Sequence, residues 1–223
     1  MKAYTSNNIR NIAVLGHGGK GKTTLCEAML YIAGASDRLG RVADGNTVLD
    51  FDSEEKRRKS SVSSAIAALE WDNTKLNIID APGLFDFEGG AAEAVRAAEA
   101  VLIVTSAGSG VDVGTEKAFR AAEKKGAAKF FAVTKTDSDH RNFYKTFDAL
   151  KEVYGNKLCP TIIPYMEGNI TKCYVNLMTG MAFSYDENGK ATKVPVPEDS
   201  VIEEMTSAFM EAGATTDAAL MVK

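Results

Sequence analysis

The stretch VLGHGGKGKTT, residues 14–24, sets four glycines and two lysines directly behind a short apolar run. Gly16-His17-Gly18-Gly19-Lys20-Gly21-Lys22-Thr23 fits the pattern G-x-x-x-x-G-K-[ST], in which glycines let successive backbone N–H groups turn inward on a phosphate chain. A helix beginning near Lys22 adds the positive end of its dipole to the same anion. Lys22 is then expected to reach the terminal phosphates, and the Thr23 hydroxyl to coordinate Mg²⁺. The plain alternative is a glycine turn between a strand and a helix. The flanks favour the phosphate reading: Ile9 to Leu15 is a buried-strand pattern, and in TTLCEAMLYIAG the residues Leu25, Ala28, Met29 and Ile32 recur at helical spacing before Gly34.

Beyond this unit the pattern keeps alternating. Residues 35–60 are polar and charged with no period, which reads as a long mobile loop. Ser61 to Trp71 and Lys75 to Ile79 read as strands joined by a turn at Asp72-Asn73. Gly89 to Ala100 reads as a helix, Val101 to Thr105 as a strand, and Thr115 to Lys125 as a helix stopped by Gly126. Phe130 to Thr134, His140 to Tyr154 and Thr161 to Tyr165 continue as strand, helix and last short strand. Strands alternating with helices imply an α/β fold, a mostly parallel sheet with helices on both faces. In such sheets ligands bind where loops leave the carboxyl ends of the strands.

After Tyr165 the texture changes. MAFSYDENGKATKVPVP reads as a hairpin turning at Asn188-Gly189. SVIEEMTSAFMEAG reads as a helix with a capping box from Ser200 and Glu203 and a stop at Gly213, and TTDAALMVK as the start of another. Residues 1–165 are therefore expected to form the core domain, and 166–223 a small second α+β subdomain, with the abrupt finish suggesting a longer protein.

Two further strand exits carry chemistry. Asp80-Ala81-Pro82-Gly83 follows LNII; the carboxylate can hold Mg²⁺ through water, and the Gly83 N–H can touch a γ-phosphate, which makes the loop a switch. Thr134-Lys135-Thr136-Asp137 follows KFFAV. A carboxylate there can accept from N1–H and the exocyclic amine of guanine, a donor pair adenine lacks, while the lysine stem lies along the base. Alone, each is an ordinary polar turn; in this order they select GTP and GDP with Mg²⁺.

Composition bounds the rest. The chain has 223 residues, 45% of them hydrophobic, and a net charge of −4, so no global basic field points to DNA or other nucleic acid. Three widely spaced cysteines, Cys26, Cys159 and Cys173, match no disulfide or metal pattern, so a reducing cytoplasmic setting is expected. No apolar run approaches a membrane span, and a monomer is expected.

In these motifs the chain resembles the translational GTPases, above all elongation factor G and elongation-factor-G-like proteins. GHGGKGKTTLCEAML, RLGRVADGNTVLDFDSEEKRR, DAPGLFDF, GVDVGTEKAFRAA and TKTD fall in the family's order. The resemblance implies a Ras-like P-loop NTPase fold with a small inserted subdomain, cycling between GTP and GDP with Mg²⁺ on the ribosome. It implies phosphate contacts from Gly18, Gly19, Lys20, Gly21, Lys22, Thr23 and Thr24, with His17, the family's loop histidine, in the nucleotide-binding set in a structural role. Asp80 and Gly83 follow as nucleotide contacts, and Thr134, Lys135 and Asp137 as the guanine-reading group. Mg²⁺ falls to Thr23, Asp80 and the switch hydroxyl of Ser61, and catalysis to Lys22 and Gly83. Departures are specific. The histidine that follows the family's DTPG motif is Leu84 here, which cannot orient water, so weak intrinsic hydrolysis is expected. Gly19 and Lys20 stand where the family's loop has aspartate and alanine, Thr134 stands for asparagine, and RKSS replaces RGIT. Ser207-Ala208-Phe209 has the letters of a fourth guanine-contacting element in a helical context, so the true element is expected beyond Lys223. A non-hydrolysing guanine-nucleotide regulator, a P-loop kinase or ATPase, and a ribosomal protection or release-factor type GTPase stay open beside the leading reading.

Overall fold

The computed structural model describes residues 2–136, 142–155, 158–168, 170–186 and 189–214. The apolar run before the glycine loop forms β1 (Ile9–Leu15). Its side chains divide with period two: Ala13 and Leu15 enter one buried cluster and Val14 another. A strand buried on both faces belongs in the middle of a sheet. The observed order is β2-β3-β1-β4-β5, with β2 (Ala65–Trp71), β3 (Thr74–Asp80), β4 (Ala100–Ser106) and β5 (Ala128–Thr134). β3, β1, β4 and β5 run parallel, and β2 returns antiparallel on β3. The turn between β2 and β3 takes left-handed backbone at Asp72 (φ 43°) and Asn73 (φ 56°), the geometry that twists correctly into a hairpin and that short polar residues tolerate.

Helices cover both faces. On one, α1 (Lys22–Ile32) sets Cys26 and Leu30 against Val14, Ile78 and Val104. Leu49, from the stretch between α1 and the short α2 (Ser53–Arg58), completes that cluster. On the other, α3 (Glu88–Ala97) and α4 (Val113–Lys125) press Ala94, Val95, Ala118 and Ala122 onto Ala13, Ile79, Val101 and Ile103. The small alanines let these helices approach the sheet closely, and Gly126 ends α4 in left-handed backbone as its sequence predicts. This is the expected mixed α/β architecture.

The chain divides between Thr134 and Lys135 into two compact units. The second contains α5 (Phe143–Tyr154) and an antiparallel sheet ordered β6-β7-β8-β9. Its strands are β6 (Ile162–Glu167), β7 (Ile170–Asn176), β8 (Met181–Tyr185) and β9 (Ala191–Val194). Its core gathers Ile163, Cys173, Val175, Leu177 and Ala182 under Ile202 of α6 (Ser200–Ala214), with Phe143 packed beside them. The strand expected at Thr161 to Tyr165 therefore forms, but as the first strand of this second sheet rather than the last of the first.

Three local expectations are corrected. Residues 35–60 contain α2 and a tight turn at Val42–Asp44. α6 is capped by Asp199, whose carboxylate accepts from Val201 N at 2.8 Å, and the helix runs through Gly213. β7 escaped the sequence reading because Lys172 and Thr171 interrupt its apolar alternation. Ser207 lies inside α6, donating to the Glu203 carbonyl at 3.0 Å, in the helical setting expected for it. The predicted helix in TTDAALMVK, and residues Asp137 and His140, lie outside the described residues.

Candidate functional site

Strand register assembles the site. Val14 pairs with Asp80, Leu15 with Ile103, and Ser106 with Thr134, so β1, β3, β4 and β5 end along one edge of the sheet. The glycine loop leaves β1 at that edge. Gly16 has φ 137°, and a Cβ there would run into the Val104 carbonyl; only glycine lets the loop pass so close to β4. Gly21 turns left-handed (φ 87°) and starts α1 with no side-chain cap. The first-turn N–H groups of Lys22, Thr23 and Thr24 are thereby left for an external anion. Gly19 and Thr24 are exposed, and His17, Gly18 and Lys20 are half-buried.

The two loop lysines diverge. Lys22 is buried, and its Nζ donates to the His17 carbonyl at 3.0 Å across the loop's mouth. Burial pushes its pKa down, against the pull of Asp80 and other acidic neighbours. Lys20 instead sends its Nζ to Asp112 Oδ2 at 3.2 Å and donates to Ser106 Oγ at 3.4 Å. Thr134 donates its hydroxyl to the Lys20 carbonyl at 2.6 Å, with the Thr105 carbonyl 3.1 Å away as an alternative acceptor. Threonine thus fastens the loop to the end of β5. Lys135 follows with left-handed backbone, φ 57°.

A buried polar cluster sits at the start of α1. Thr23 Oγ1 donates to Asp80 Oδ2 at 2.6 Å and lies 3.2 Å from Ser61 Oγ. Ser61 donates to Asp50 Oδ1 at 2.7 Å. Among the described residues Asp80 Oδ1 and Asp50 Oδ2 are buried with no hydrogen-bond partner. Burial pushes the Asp80 carboxyl up to about 7, partly opposed by the Thr23 hydroxyl and Lys22; burial raises Asp50 as well. Two hydroxyls and two carboxylates with spare oxygens form a hard, all-oxygen donor set, which fits Mg²⁺. The three residues read as metal-holding, Thr23, Ser61 and Asp80, come together here. Asp50 is a fourth oxygen-bearing side chain in this cluster, one the sequence did not single out.

The Asp80 exit then folds against the glycine loop. A Cβ on Gly83 would collide with Lys22 Nζ and lie 2.8 Å from Gly16 O and Gly18 N, so this contact too requires glycine. Leu84 follows, its Cδ2 3.0 Å from where a Cβ on Gly18 would stand. Phe85 packs edge-on to His17, ring centroids 5.5 Å apart, and lies under Lys117 Nζ at 4.5 Å. A cavity of about 300 Å³ opens beside these residues, walled by Leu84, Phe85, Ala91 and Ala118. The leucine side chain at position 84 cannot hold or move a proton.

Glu27 also escaped the sequence reading. Its fully buried carboxylate accepts from Val48 N at 2.7 Å and Leu49 N at 3.0 Å. It anchors residues 47–50, and with them Asp50, to α1. It lies on the face of α1 that buries Cys26 and Leu30 rather than along the Leu25, Ala28, Met29 and Ile32 spacing, so the apolar period did not point to it.

Residues 7–218 match the family described as the Elongation factor Tu GTP binding domain. An Elongation factor G-like protein of Mycobacterium tuberculosis is 34% identical over 204 residues, 91% of this chain and 28% of that protein. Elongation factor G of Mycoplasma genitalium is 30% identical over 218 residues, 96% of this chain and 32% of that protein. A crystal structure of a Thermus thermophilus protein superposes with a TM-score of 0.89 at 35% identity, over 96% of this chain and 32% of that one. The chain thus spans about a third or less of the length of these relatives. With the sheet, the glycine loop and the match over nearly its whole length in agreement, the chain belongs to the elongation factor Tu GTP-binding domain family, alongside elongation-factor-G-like proteins.

Proposed function

We propose that this chain is the nucleotide-switch domain of an elongation-factor-G-like translation factor. It binds GTP and GDP with Mg²⁺, and hydrolyses GTP to GDP and phosphate slowly alone and faster on the ribosome. The observation that carries this reading is the convergence of Thr23, Ser61, Asp80 and Asp50 beside an uncapped helix start. Loop amides and the Lys22 ammonium bind and orient the phosphates, and Lys22 neutralises charge that develops as the terminal phosphate leaves. Thr23 and Ser61 would hold the metal ion directly and Asp80 and Asp50 through water; when bound, the ion supplies electrostatic stabilisation of the phosphate oxygens. The Gly83 N–H meets the γ-phosphate, so its departure frees residues 80–87, while Ser61 reports the same event to the segment around α2. Lys135 and Asp137 read the guanine base. The four-stranded sheet and α6 belong to the inserted subdomain, so its start lies before the residue 166 expected from sequence, and the protein works as a cytoplasmic monomer with the ribosome as partner.

The test is calorimetric titration of the full-length gene product with GDP and ADP, with and without Mg²⁺. GDP binding well above ADP is expected; equal affinities defeat guanine specificity, and an ADP preference restores a P-loop ATPase or kinase. Leu84 favours one second reading, a GTP-bound regulator that does not hydrolyse, because an apolar side chain rests on Gly18 where the family carries histidine. Leu84→His is expected to raise single-turnover phosphate release on ribosomes. GTP left intact by the wild type under those conditions supports the regulator.

A further inference from the structure

The glycine loop contains a second cation that the proposed chemistry does not use. Lys20 is held at both ends: its carbonyl accepts from Thr134 at 2.6 Å, and its Nζ pairs with Asp112 at 3.2 Å. Asp112 in turn works twice. Its Oδ1 accepts from Thr115 N and Thr115 Oγ1, both at 2.9 Å, capping α4, while Oδ2 faces Lys20. Only 15% of the Lys20 side chain and 20% of the Asp112 side chain are exposed, so water screens this pair less than a surface pair. Ser106 Oγ, 3.4 Å from Lys20 Nζ, closes the arrangement from the end of β4.

We propose that Lys20 is a positioning residue whose ion pair with Asp112 straps the back of the phosphate loop to the entrance of α4 and slows the release of bound nucleotide. This rests on the nucleotide reading above. A loop with glycine at positions 16, 18, 19 and 21 loses much backbone freedom when it closes on phosphate. A strap that removes part of that freedom in advance lowers the ordering cost of binding. Such effects appear mainly in the rate of dissociation. Lys20 accordingly acts through the loop's shape and leaves direct phosphate contact to Lys22, and the charge that sets this chain apart in its glycine loop becomes a control on exchange.

The experiment is stopped-flow release of a fluorescent GDP analogue from the full-length protein in Mg²⁺, chased with excess GDP. Asp112→Asn keeps a side chain able to cap α4 and removes the charge; Lys20→Met keeps the stem and removes the ammonium. Each is expected to speed release by about 3- to 10-fold with association rates unchanged, and the double variant no more than either alone, as coupled groups behave. Lys20→Arg, which retains the pair, is expected to release at close to the wild-type rate. Additive effects, or release unchanged in Asp112→Asn, overturn the strap. Slower release in Asp112→Asn also overturns it and assigns Lys20 to the phosphates. Should Lys20→Met fail to fold, Asp112→Asn and Lys20→Arg decide the matter. Failure of the wild type to bind the GDP analogue at all removes the nucleotide reading and this proposal together, whereas tight binding with unchanged variant rates removes only the strap.

Discussion

Asp80 is the residue on which stability and function pull hardest against each other. Its carboxyl is almost fully buried and pushed up to about 7 by that burial, and its Oδ1 has no hydrogen-bond partner among the described residues. An unfolded carboxyl ionises near 3.8, while the folded one keeps its proton to about 7. Between those values the folded state binds more protons than the unfolded one, so the group's contribution to stability falls as pH rises through this window and levels off above it. Asp80→Asn removes that cost. Nucleotide-free melting curves are expected to coincide near pH 4 and to separate toward pH 8, with the variant melting higher. Mg²⁺-dependent GDP binding in the same variant is expected to weaken by roughly tenfold or more, as for other groups that hold metal-bound water. A variant that melts no higher than wild type at pH 8 contradicts the burial argument. Asp80 was readable in advance because DAPG ends an unmistakable apolar strand. Asp50 was not, because it stands in a segment with no period, between Leu49 and Phe51, and only the chain path fixed by Glu27 brings it to Ser61.

The element that best separates what sequence discloses from what packing adds is α2. Its six residues, SEEKRR, look like a solvated charge run, yet the start is written locally. Asp52 accepts from Glu54 N at 2.7 Å, and Glu55 reaches back to Asp52 N at 3.2 Å, a capping box of the ordinary kind. Glu55 is also buried, and its other oxygen accepts from Val62 N at 3.0 Å and Ser63 N at 3.1 Å. One carboxylate thus closes the helix start and fixes the chain just past Ser61. The strands β1, β3 and β4 and the helices α1, α3 and α4 were readable because apolar spacing specifies them within a few residues. α2 is too short to show a period, and it forms because four backbone amides, those of Asp52, Glu54, Val62 and Ser63, find carboxylate acceptors. Asp52→Ala is expected to cost about 1 kcal/mol in the chemical-denaturation midpoint analysis. It is also expected to raise hydrogen exchange selectively in residues 52–63, leaving β1 and α1 protected; uniform loss of protection instead assigns Asp52 to global stability. Because Ser61 belongs to the metal-holding set proposed above, the same variant is expected to weaken Mg²⁺·GTP more than GDP.

Across the molecule, the buried clusters sort by unit. Two sandwich the five-stranded sheet from opposite faces, and a third lies between the four-stranded sheet, α5 and α6. Each unit therefore has a core of its own to bury, and neither sheet extends the other. Among the described residues, the carbonyls, hydroxyls and carboxylates that meet Lys22, Thr23, Asp80 and Thr134 come from the first unit. A ligand that binds the folded state stabilises chiefly the elements it touches. Hydrogen exchange of the full-length protein with and without Mg²⁺·GDP is expected to gain protection in residues 16–24, 50–64, 80–87 and 134–137. The amides of β6, β7 and β8 are expected to exchange at the same rate in both conditions, because their ladder is held by Ile163, Cys173, Val175 and Ala182 in a separate core. Protection that rises equally across β6–β8 requires the two cores to open as one cooperative body. Protection that appears in residues 16–24 but not in 134–137 leaves a phosphate binder indifferent to the base, in which the strand-end loops grip only the tail of the nucleotide.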